Sequence, residues 1–323
     1  MDISVIIVSW NSRPYLERCL ESFALAPSSR SLEIIVVDNA SADGSSELVE
    51  AKFPHVKLIR NDQNLGFAKA NNLAIQKSRG RYLCLVNPDA EVLPGCLDAL
   101  ADFLDQNPRV GNVGPRILNS DMTLQSSCRQ FPTLWNNFCE ATGLATSFRK
   151  QRFFSGEHMF FFPYDRTLAV DVLVGCFWMV RREAVEAVGL LDEEFFLYGE
   201  DVDWCRRCWK AGWQVVFFPG AEAIHHRGTS SSSDPVRFAV VQQKSILHYW
   251  AKHRGLFGRM GIQSILFCHH VMRYLFGMVS RWMRTSRTAQ NAARAQVSIA
   301  CLRALFSAGA SYEARTAVER SAS

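Results

Sequence analysis

Residues 3–38, ISVIIVSWNSRPYLERCLESFALAPSSRSLEIIVVD, contain two short apolar runs on either side of a segment with a different period. The runs at 3–9 and 32–38 are rich in β-branched residues and predict two buried strands. The segment 12–25 places four apolar side chains on one face of a helix, namely Leu16, Cys19, Leu20 and Phe23. A strand, a helix and a second strand in this order predict a parallel sheet.

The same alternation continues to residue 87. Residues 44–53 and 66–78 have the pattern of amphipathic helices, whereas VKLIR (56–60) and RYLCLVN (81–87) have the pattern of strands. The chain has 323 residues, of which 48% are hydrophobic, so it can bury one sizeable core and carry an appendage. The sequence therefore predicts an α/β fold.

Polar residues follow each predicted strand, in SWN (9–11), DNAS (38–41), NDQNLG (61–66) and NPDAE (87–91). Ligands of open α/β sheets bind beyond the carboxyl ends of the strands, so these positions are candidates for a binding site. Each is also typical of a turn or a helix N-cap, and that alternative stays open for each one alone. The first strand is not followed by GxGxxG, which argues against a dinucleotide-binding dehydrogenase.

An acidic cluster occurs in YGEDVDWCRR, residues 198–207, which contains Glu200, Asp201 and Asp203. Such a cluster is a candidate for acid–base chemistry, but it could equally complement the dipole of a helix whose first turn it occupies. Asp203 should point away from Asp201 on a helix, and we expect it to pair with Arg206 or Arg207.

The cysteines do not suggest a disulfide framework or a zinc site. Ten are scattered through apolar surroundings, and the single CxxC at 205–208 falls on an apolar helical stripe without a second ligand pair, so we interpret them as reduced core residues. The start, MDISVIIVSW, lacks the pattern of a signal peptide. Both features predict a cytoplasmic protein.

Charge divides the chain in two. Residues 235–312 contain eleven Lys or Arg and no Asp or Glu, although the whole chain has a net charge of only +5. We therefore expect a first domain at 1–234, a basic helical extension at 235–290 and a tail at 291–323, with different partners for the first two.

Taken together, the motifs resemble those of the family 2 inverting nucleotide-sugar glycosyltransferases, in their rhamnosyltransferase-like branch. The resemblance covers residues 3 to about 230 and rests on six motifs in the family's order: VIIVSWN, VVDNASADGS, NLGFAKANN, LVNPDAEV, VGCFWMVRREAVEAVGLLDEEFFLYGEDVDWCRRCWKAGW and AIHHRGTS. It implies the GT-A fold, a Rossmann-like mixed sheet flanked by helices. It also implies transfer of a sugar, with rhamnose from dTDP-rhamnose as the leading donor, to a lipid-linked or polysaccharide acceptor in cell-envelope glycan synthesis.

The resemblance also implies a divalent metal, Mn²⁺ or Mg²⁺, that neutralises the donor diphosphate. The family usually holds this metal with DxD at the end of the fourth strand, where this chain has Asn87, Pro88 and Asp89. Asp89 would be the main ligand, with Asn87 near the ribose or a coordinated water. His225 would complete the site, although its neighbour His226 competes for that role.

For the chemistry, the resemblance implies that Asp201 is the base that takes the proton from the acceptor hydroxyl, and that Glu200 orients the acceptor or the base. Ser9 and Asn11 would line the base pocket, and Asp38 with Asn39 would bind the pyrimidine or ribose. The side chains expected near the diphosphate and sugar are those of Asn64, Gly66 and Asn71.

On the acceptor side, VGCFWMVRR (174–182) is expected to be a strand, and Trp178 is either a stacking platform or a core residue. Residues 120–168 match the family poorly and are expected to shape the acceptor site. A non-catalytic protein that binds nucleotide sugars is the alternative function, because Asn87 replaces an acid.

The basic extension mixes cations with aromatic residues such as Trp250, Phe257, Phe267 and Trp282. One or two amphipathic helices on the anionic inner face of the cell membrane explain this composition best. A spanning helix over 262–280 would bury Arg273, at about 2.5 to 3.5 kcal/mol, and a homo-oligomer interface is the third alternative. We expect no nucleic acid partner, because the first domain is acidic.

Overall fold

The computed structural model describes residues 1–226, 234–282 and 288–306. Three parts of the predicted features lie outside the described residues: 227–230 of the AIHHRGTS motif, 283–287 of the basic extension and 307–323 of the tail. The side chain of Trp282 also belongs to the part that is not described.

The first half of the chain folds as predicted. β1 (Ile3–Ser9) and β2 (Leu32–Asp38) pair in parallel from Ile3 with Leu32 to Ser9 with Asp38, and α1 (Arg13–Leu25) connects them. The alternation continues with α2 (Ser45–Lys52), β3 (Lys57–Arg60), α3 (Phe67–Lys77) and β4 (Tyr82–Val86). β3, β2, β1 and β4 lie side by side, all parallel.

The second half completes a mixed sheet, whose main path runs β3-β2-β1-β4-β10-β6-β11-β5. Its elements are β5 (Ala90–Val92), α4 (Cys96–Gln106), β6 (Val110–Leu118), β7 (Cys128–Arg129), α5 (Leu134–Thr142), α6 (Leu144–Ser147), β8 (Leu168–Ala169), β9 (Val172–Leu173), β10 (Phe177–Arg181), α7 (Arg182–Val188), α8 (Glu200–Lys210) and β11 (Gln214–His225). β10 is antiparallel to both β4 and β6, and β5 is antiparallel to β11. The predicted α/β class with a mixed sheet flanked by helices is confirmed.

Two apolar layers cover the faces of this sheet. One packs α1, α2 and α4 against one face, with Leu16, Leu48 and Leu100 among its buried residues. The other packs α3, α7 and α8 against the opposite face, and it contains Cys205 and Cys208. Both thiols are buried and unpaired, as predicted, and burial raises their pKa.

The chain ends in α9 (Pro235–Trp282), which is broken at Gly255, and α10 (Thr288–Phe306). Contacts cross the expected boundary at residue 234. Tyr249 and Trp250 are buried in a third apolar cluster that also contains Phe195. Lys252 contacts Asp203 at 2.7 Å on α8. Apolar burial and ion pairs therefore hold the first part of α9 against the α/β body.

No described helix is both long enough and apolar enough to cross a membrane.

Candidate active site

A cleft of about 670 Å³ opens at the carboxyl ends of β1, β2 and β4. Its walls come from the loops that follow these strands, from the start of α8, from α5 and from the first part of α9. Eight of the predicted site residues line it: Asn39, Asn64, Gly66, Asn87, Asp89, Glu200, Asp201 and His225. The position of the cleft follows from the parallel register of the first strands, which brings their polar ends to one edge.

Strand pairing brings Asp89 next to His225. β5 is antiparallel to β11 with Ala90 opposite His225, so the side chains at the start of one strand and the end of the other are adjacent. Nε2 of His225 lies 3.2 Å from Oδ1 of Asp89, and both residues are buried. The amide nitrogen of Asn87 lies 3.4 Å from the same Nε2.

Gln125 determines which nitrogen of His225 carries the proton. Its amide group donates to Oδ1 of Asn119 at 2.8 Å and to the carbonyl of His225 at 3.0 Å, so its oxygen is left as the acceptor at 2.7 Å from Nδ1. Nδ1 must therefore be the donor, so in the neutral imidazole Nε2 carries the lone pair beside Asp89.

His226 has a different environment. Its Nε2 lies 2.6 Å from Oε1 of Glu91, and its Nδ1 lies 2.7 Å from the hydroxyl of Ser120. Both ring nitrogens are thus engaged outside the pair formed by Asp89 and His225. Of the two candidate histidines, the geometry favours His225 as a metal ligand.

The chain enters α8 through two residues in the left-handed region, Tyr198 with φ of 66° and Gly199 with φ of 87°. A non-glycine residue rarely adopts such a conformation, and it is tolerated where the surrounding structure fixes it, often at a functional site. The bend directs the first turn of α8 into the cleft, so that Glu200 and Asp201 line it.

Asp201 is held by the backbone. Gly175 N–H donates to its Oδ2 at 3.2 Å, and Val202 N–H donates to its Oδ1 at 2.8 Å. Burial raises the pKa of Asp201, while these hydrogen bonds and the nearby Arg129 oppose the rise by stabilising the carboxylate. A carboxylate with a raised pKa that is fixed by backbone hydrogen bonds is suited to accept a proton.

Glu200 differs from its neighbour in its hydrogen bonds. It is 5% exposed, and its Oε2 has no hydrogen-bond partner among the described residues. Burial, and then the charge of Asp201, raise the pKa of Glu200 well above its usual value. The two environments differ, because burial without a hydrogen bond to Oε2 favours the neutral form of Glu200, whereas two backbone hydrogen bonds favour the carboxylate form of Asp201.

Asp203 points away from the cleft, as predicted, and pairs with Arg207 at 2.8 Å. It also contacts Lys252 and His253 of α9, each at 2.7 Å. These contacts join α8, which carries Asp201, to α9.

Gly66 lies where two loops cross. Its backbone bonds to two predicted site residues. The carbonyl of Gly66 accepts from the side chain of Asn39 at 3.2 Å, and the N–H of Gly66 donates to the side chain of Asn64 at 2.9 Å. Its φ is 82°, and a Cβ at this position would lie 2.5 Å from the carbonyl oxygen of Phe196. Only glycine allows this approach, which positions the segment that leads to α8.

Three predicted residues of the base pocket lie beside the cleft rather than in its wall. Oδ2 of Asp38 accepts from Ser41 N–H at 3.2 Å, and its buried Oδ1 has no hydrogen-bond partner among the described residues, so it could accept one from a ligand. Oδ1 of Asn11 accepts a hydrogen bond from Ala42 N–H, in the same loop, at 2.8 Å. Ser9 is fully buried, with its hydroxyl 2.9 Å from that of Ser12.

Two predictions are corrected. Trp178 is 2% exposed and packs against Trp204, with its indole N–H bonded to the carbonyls of Leu173 and Val174, so it is a core residue and not an acceptor platform. β10 lies inside the sheet with both faces covered, and its first four residues, 177–180, are buried. Asn71 is 1% exposed and bonds its own helix at the carbonyl of Phe67, and it is not among the residues that line the cleft.

The sequence did not identify several residues of the cleft wall. The poorly matching segment 120–168 does line the cleft, as expected, and it contributes Arg129, Asn137, Glu140, Glu157 and His158. Tyr249 and Trp250 of α9 also line it. None of these belongs to a recognisable motif, and only their position in the folded chain identifies them.

Comparison with known proteins agrees with this geometry. The sequence model described as "Glycosyl transferase family 2" matches residues 4–189. N-acetylglucosaminyl-diphospho-decaprenol L-rhamnosyltransferase of Mycobacterium tuberculosis (strain ATCC 25618 / H37Rv) is 32% identical over 273 residues, which cover 78% of this chain and 85% of the relative.

Solved structures share the fold. The mannosyltransferase PcManGT from Pyrobaculum calidifontis, in complex with GDP-Man and Mn²⁺, has a TM-score of 0.58 at 15% identity and covers 95% of this chain and 88% of its own. GalNAc-T7 with UDP, GalNAc and Mn²⁺ has a TM-score of 0.53 at 17% identity, with coverages of 78% and 50%.

Proposed function

The chain belongs to glycosyl transferase family 2 and has the GT-A fold, and from that premise we propose that it is an inverting transferase in which Asp201 is the catalytic base. The observation that carries the proposal is the placement of Asp201. Its carboxylate stands at the N-terminus of α8, in the same cleft as Asp89 and His225. In an inverting transfer the acceptor hydroxyl attacks from the face opposite the departing diphosphate, so a base is needed on that face.

Glu200 has a separate part in this proposal. Burial and the charge of Asp201 favour the protonated form of Glu200, and in that form it can donate a hydrogen bond to the acceptor while Asp201 carries the charge of the pair. The acceptor proton passes to Asp201, whose two backbone hydrogen bonds fix the direction of its oxygens.

The donor set at Asp89 and His225 suits a divalent cation such as Mn²⁺ or Mg²⁺. One carboxylate oxygen and one imidazole lone pair lie 3.2 Å apart, and the tautomer of the imidazole is fixed by Gln125. No cluster of three or more metal-binding side chains occurs in the described parts of the chain, so phosphate oxygens of the donor would complete the coordination. When bound, the cation would neutralise the diphosphate leaving group.

The relative from M. tuberculosis suggests the substrates. By similarity, the transferred sugar is L-rhamnose and the acceptor is a lipid-linked N-acetylglucosaminyl diphosphate in cell-envelope glycan synthesis. We propose dTDP-rhamnose as the donor. Oδ1 of Asp38, which has no hydrogen-bond partner among the described residues, would accept a hydrogen bond from its pyrimidine or ribose.

The donor is a nucleotide of the cytoplasm and the acceptor is a lipid, so we place the protein at the inner face of the cell membrane as a peripheral protein. Its eleven cations between residues 235 and 312 support this location.

The test is incubation of the purified protein with a panel of nucleotide sugars and a short-chain N-acetylglucosaminyl diphosphate lipid, with Mn²⁺, with Mg²⁺ and with a chelator. We expect release of dTDP only from dTDP-rhamnose and only with metal. The NMR spectrum of the product should show the anomeric configuration opposite to that of the donor. Retention of configuration would contradict Asp201 as a base, and release from a different nucleotide sugar would replace the donor.

A further inference from the structure

A compact group of exposed aromatic side chains lies on α5, α6 and the loop that follows, in residues 134–154. Trp135 is 38%, Phe148 43% and Phe153 66% exposed. The group is held together internally, because Trp135 donates its indole N–H to the carbonyl of Phe153 at 2.8 Å and their rings lie 5.0 Å apart. A rigid aromatic group in water is unfavourable, and such surfaces usually mark a contact with another apolar body.

A second exposed apolar surface lies on the part of α9 after Gly255. Its exposed side chains are Leu256, Phe257, Met260, Phe267, Met272, Leu275, Phe276, Met278 and Val279. Helix α10 packs along α9 and leaves these side chains uncovered.

The two surfaces are continuous. α5 packs against α9 so closely that a Cβ at Gly261 would lie 3.0 Å from Leu134. Farther along, Nδ1 of His269 donates to the carbonyl of Ala141 at 2.8 Å, and burial lowers the pKa of this histidine, which keeps it neutral. The aromatic group on 134–154 and the apolar face of 256–279 therefore form one surface.

The exposed charges of this surface are cations, and the one acid of residues 134–154, Glu140, is half-buried in the cleft wall. Arg149, Lys150 and Arg152 are exposed among the aromatic residues, and no Asp or Glu occurs between 141 and 156. Exposed cations on α9 are Arg254, Arg259 and Arg273, and residues 235–282 contain no acid. An isologous contact with a second copy of the chain would bring these cations against each other, which is unfavourable. An anionic bilayer matches both the charge and the aromatic residues.

We propose that residues 134–154 and 256–279 together form a docking surface for an anionic lipid bilayer. Trp135, Phe148 and Phe153 enter the interfacial region, and the adjacent cations contact the headgroups. The same helices continue into the cleft wall, through Asn137 of α5 and Tyr249 of α9. Docking would therefore place the cleft next to the bilayer surface, where the polar end of a lipid-linked acceptor lies. Only this last step rests on the proposed function.

The test uses the full chain and two charge-reversed variants that change the net charge equally. Arg149→Glu with Lys150→Glu alters the docking surface, and Lys77→Glu with Arg79→Glu alters exposed residues near the amino end of β4, away from the cleft. Each is sedimented with vesicles of phosphatidylcholine alone and of phosphatidylcholine with phosphatidylglycerol. Since a surface cation contributes about 1 kcal/mol, we expect the first variant to lose at least about 30-fold in partition onto anionic vesicles and the control to stay near wild type.

A third variant, Phe153→Ser, tests the apolar part. We expect it to lose the binding that survives high salt, while its thermal midpoint remains close to that of wild type. Equal partition of all variants, or negligible wild-type partition onto both vesicle types, would overturn the proposal. A concentration-dependent dimer in light scattering that is lost in Phe153→Ser would also overturn it and assign the surface to a second copy.

Activity separates this proposal from the proposed function. With a short-chain acceptor free in solution, the Arg149→Glu, Lys150→Glu variant should transfer sugar like wild type. With a long-chain acceptor embedded in anionic vesicles, its rate should fall about as far as its partition. If wild type transfers sugar to neither acceptor, the proposed function fails, whereas the vesicle result still decides the docking surface.

Discussion

Nε2 of His225 lies 3.2 Å from Oδ1 of Asp89, and Gln125 fixes the tautomer of this imidazole through the other ring nitrogen, Nδ1. The pair arises from the antiparallel register of β5 and β11, which joins residues more than a hundred positions apart in the chain. The proposed metal site therefore depends on Gln125, a residue that is not itself a proposed ligand.

We expect Gln125→Leu to weaken Mn²⁺ binding by about 10-fold to 100-fold, because Nδ1 of His225 loses its acceptor and the imidazole loses its fixed orientation. Calorimetric titration of Mn²⁺ in the presence of the donor nucleotide measures the effect. His226→Gln is the control, since that ring lies against Glu91 and Ser120, and it should bind Mn²⁺ like wild type. An unchanged affinity in Gln125→Leu would remove this residue from the site.

Glu200 should make stability depend on pH. Its folded pKa lies above that of the unfolded chain, so the folded state is favoured at low pH and loses stability as pH rises from about 4.3 through the folded pKa. Glu200→Gln removes this titration while it keeps the shape of the side chain. Thermal midpoints measured between pH 5 and 8 should fall less steeply in the variant, and parallel profiles would contradict a protonated Glu200.

Asp203 should be a major contributor to stability, because it is fully buried and contacts Arg207, Lys252 and His253. Asp203→Asn would leave the largely buried Arg207 without its anionic partner and remove one of the two carboxylates that pair with Lys252. We expect it to lower the free energy of unfolding, measured by urea denaturation, by about 3 to 5 kcal/mol. The contacts with His253, Lys252 and Arg207 lower the pKa of Asp203 below its usual value against the effect of burial, so the contribution is present above about pH 4 and is lost as pH falls below it.

Asp62→Asn makes the same chemical change at an exposed position and should stay within about 0.5 kcal/mol of wild type. If Asp203→Asn changed the free energy of unfolding equally little, the ion pairs between α8 and α9 would not be what holds α9 on the body.

Gly66 and Gly95 offer a matched pair, because both adopt a positive φ, of 82° and 77°. An alanine at Gly95 would meet open space and should cost only the backbone strain, about 1 kcal/mol. An alanine at Gly66 would also press on the carbonyl of Phe196 and displace the segment that leads to Asp201. We expect Gly66→Ala to reduce turnover by about 10²-fold while Gly95→Ala stays near wild type. Equal activity of the two variants would show that the contact with Phe196 does not position α8.

The parts of the fold that the sequence predicted are those with a local signal. β1 and β4 are continuous apolar runs of strand length, and the helices between them repeat at helical spacing, so periodicity alone identifies them. Asp89 and Asp201 stand at the start of regular elements inside recognisable motifs, which is why both could be named in advance.

The rest depends on contacts between distant parts of the chain. Gln125 reaches His225 across 100 positions, and Tyr249 reaches the cleft only because α9 folds back onto α8. Periodicity also could not decide the role of Trp178, since a strand covered on both faces buries successive side chains on both sides, as in residues 177–180. The charge division suggested a separate extension, but Trp250 and Lys252 bind that segment to the body.

The most direct test of the central claim is the comparison of donor affinity and turnover in Asp201→Asn. The amide keeps the shape of the side chain but cannot accept the acceptor proton. We predict that calorimetry gives a donor affinity within about 3-fold of wild type, and that nucleoside diphosphate release in the presence of acceptor falls by about 10² or more. Turnover near the wild-type rate would contradict the account, because Asp201 could then not be the base.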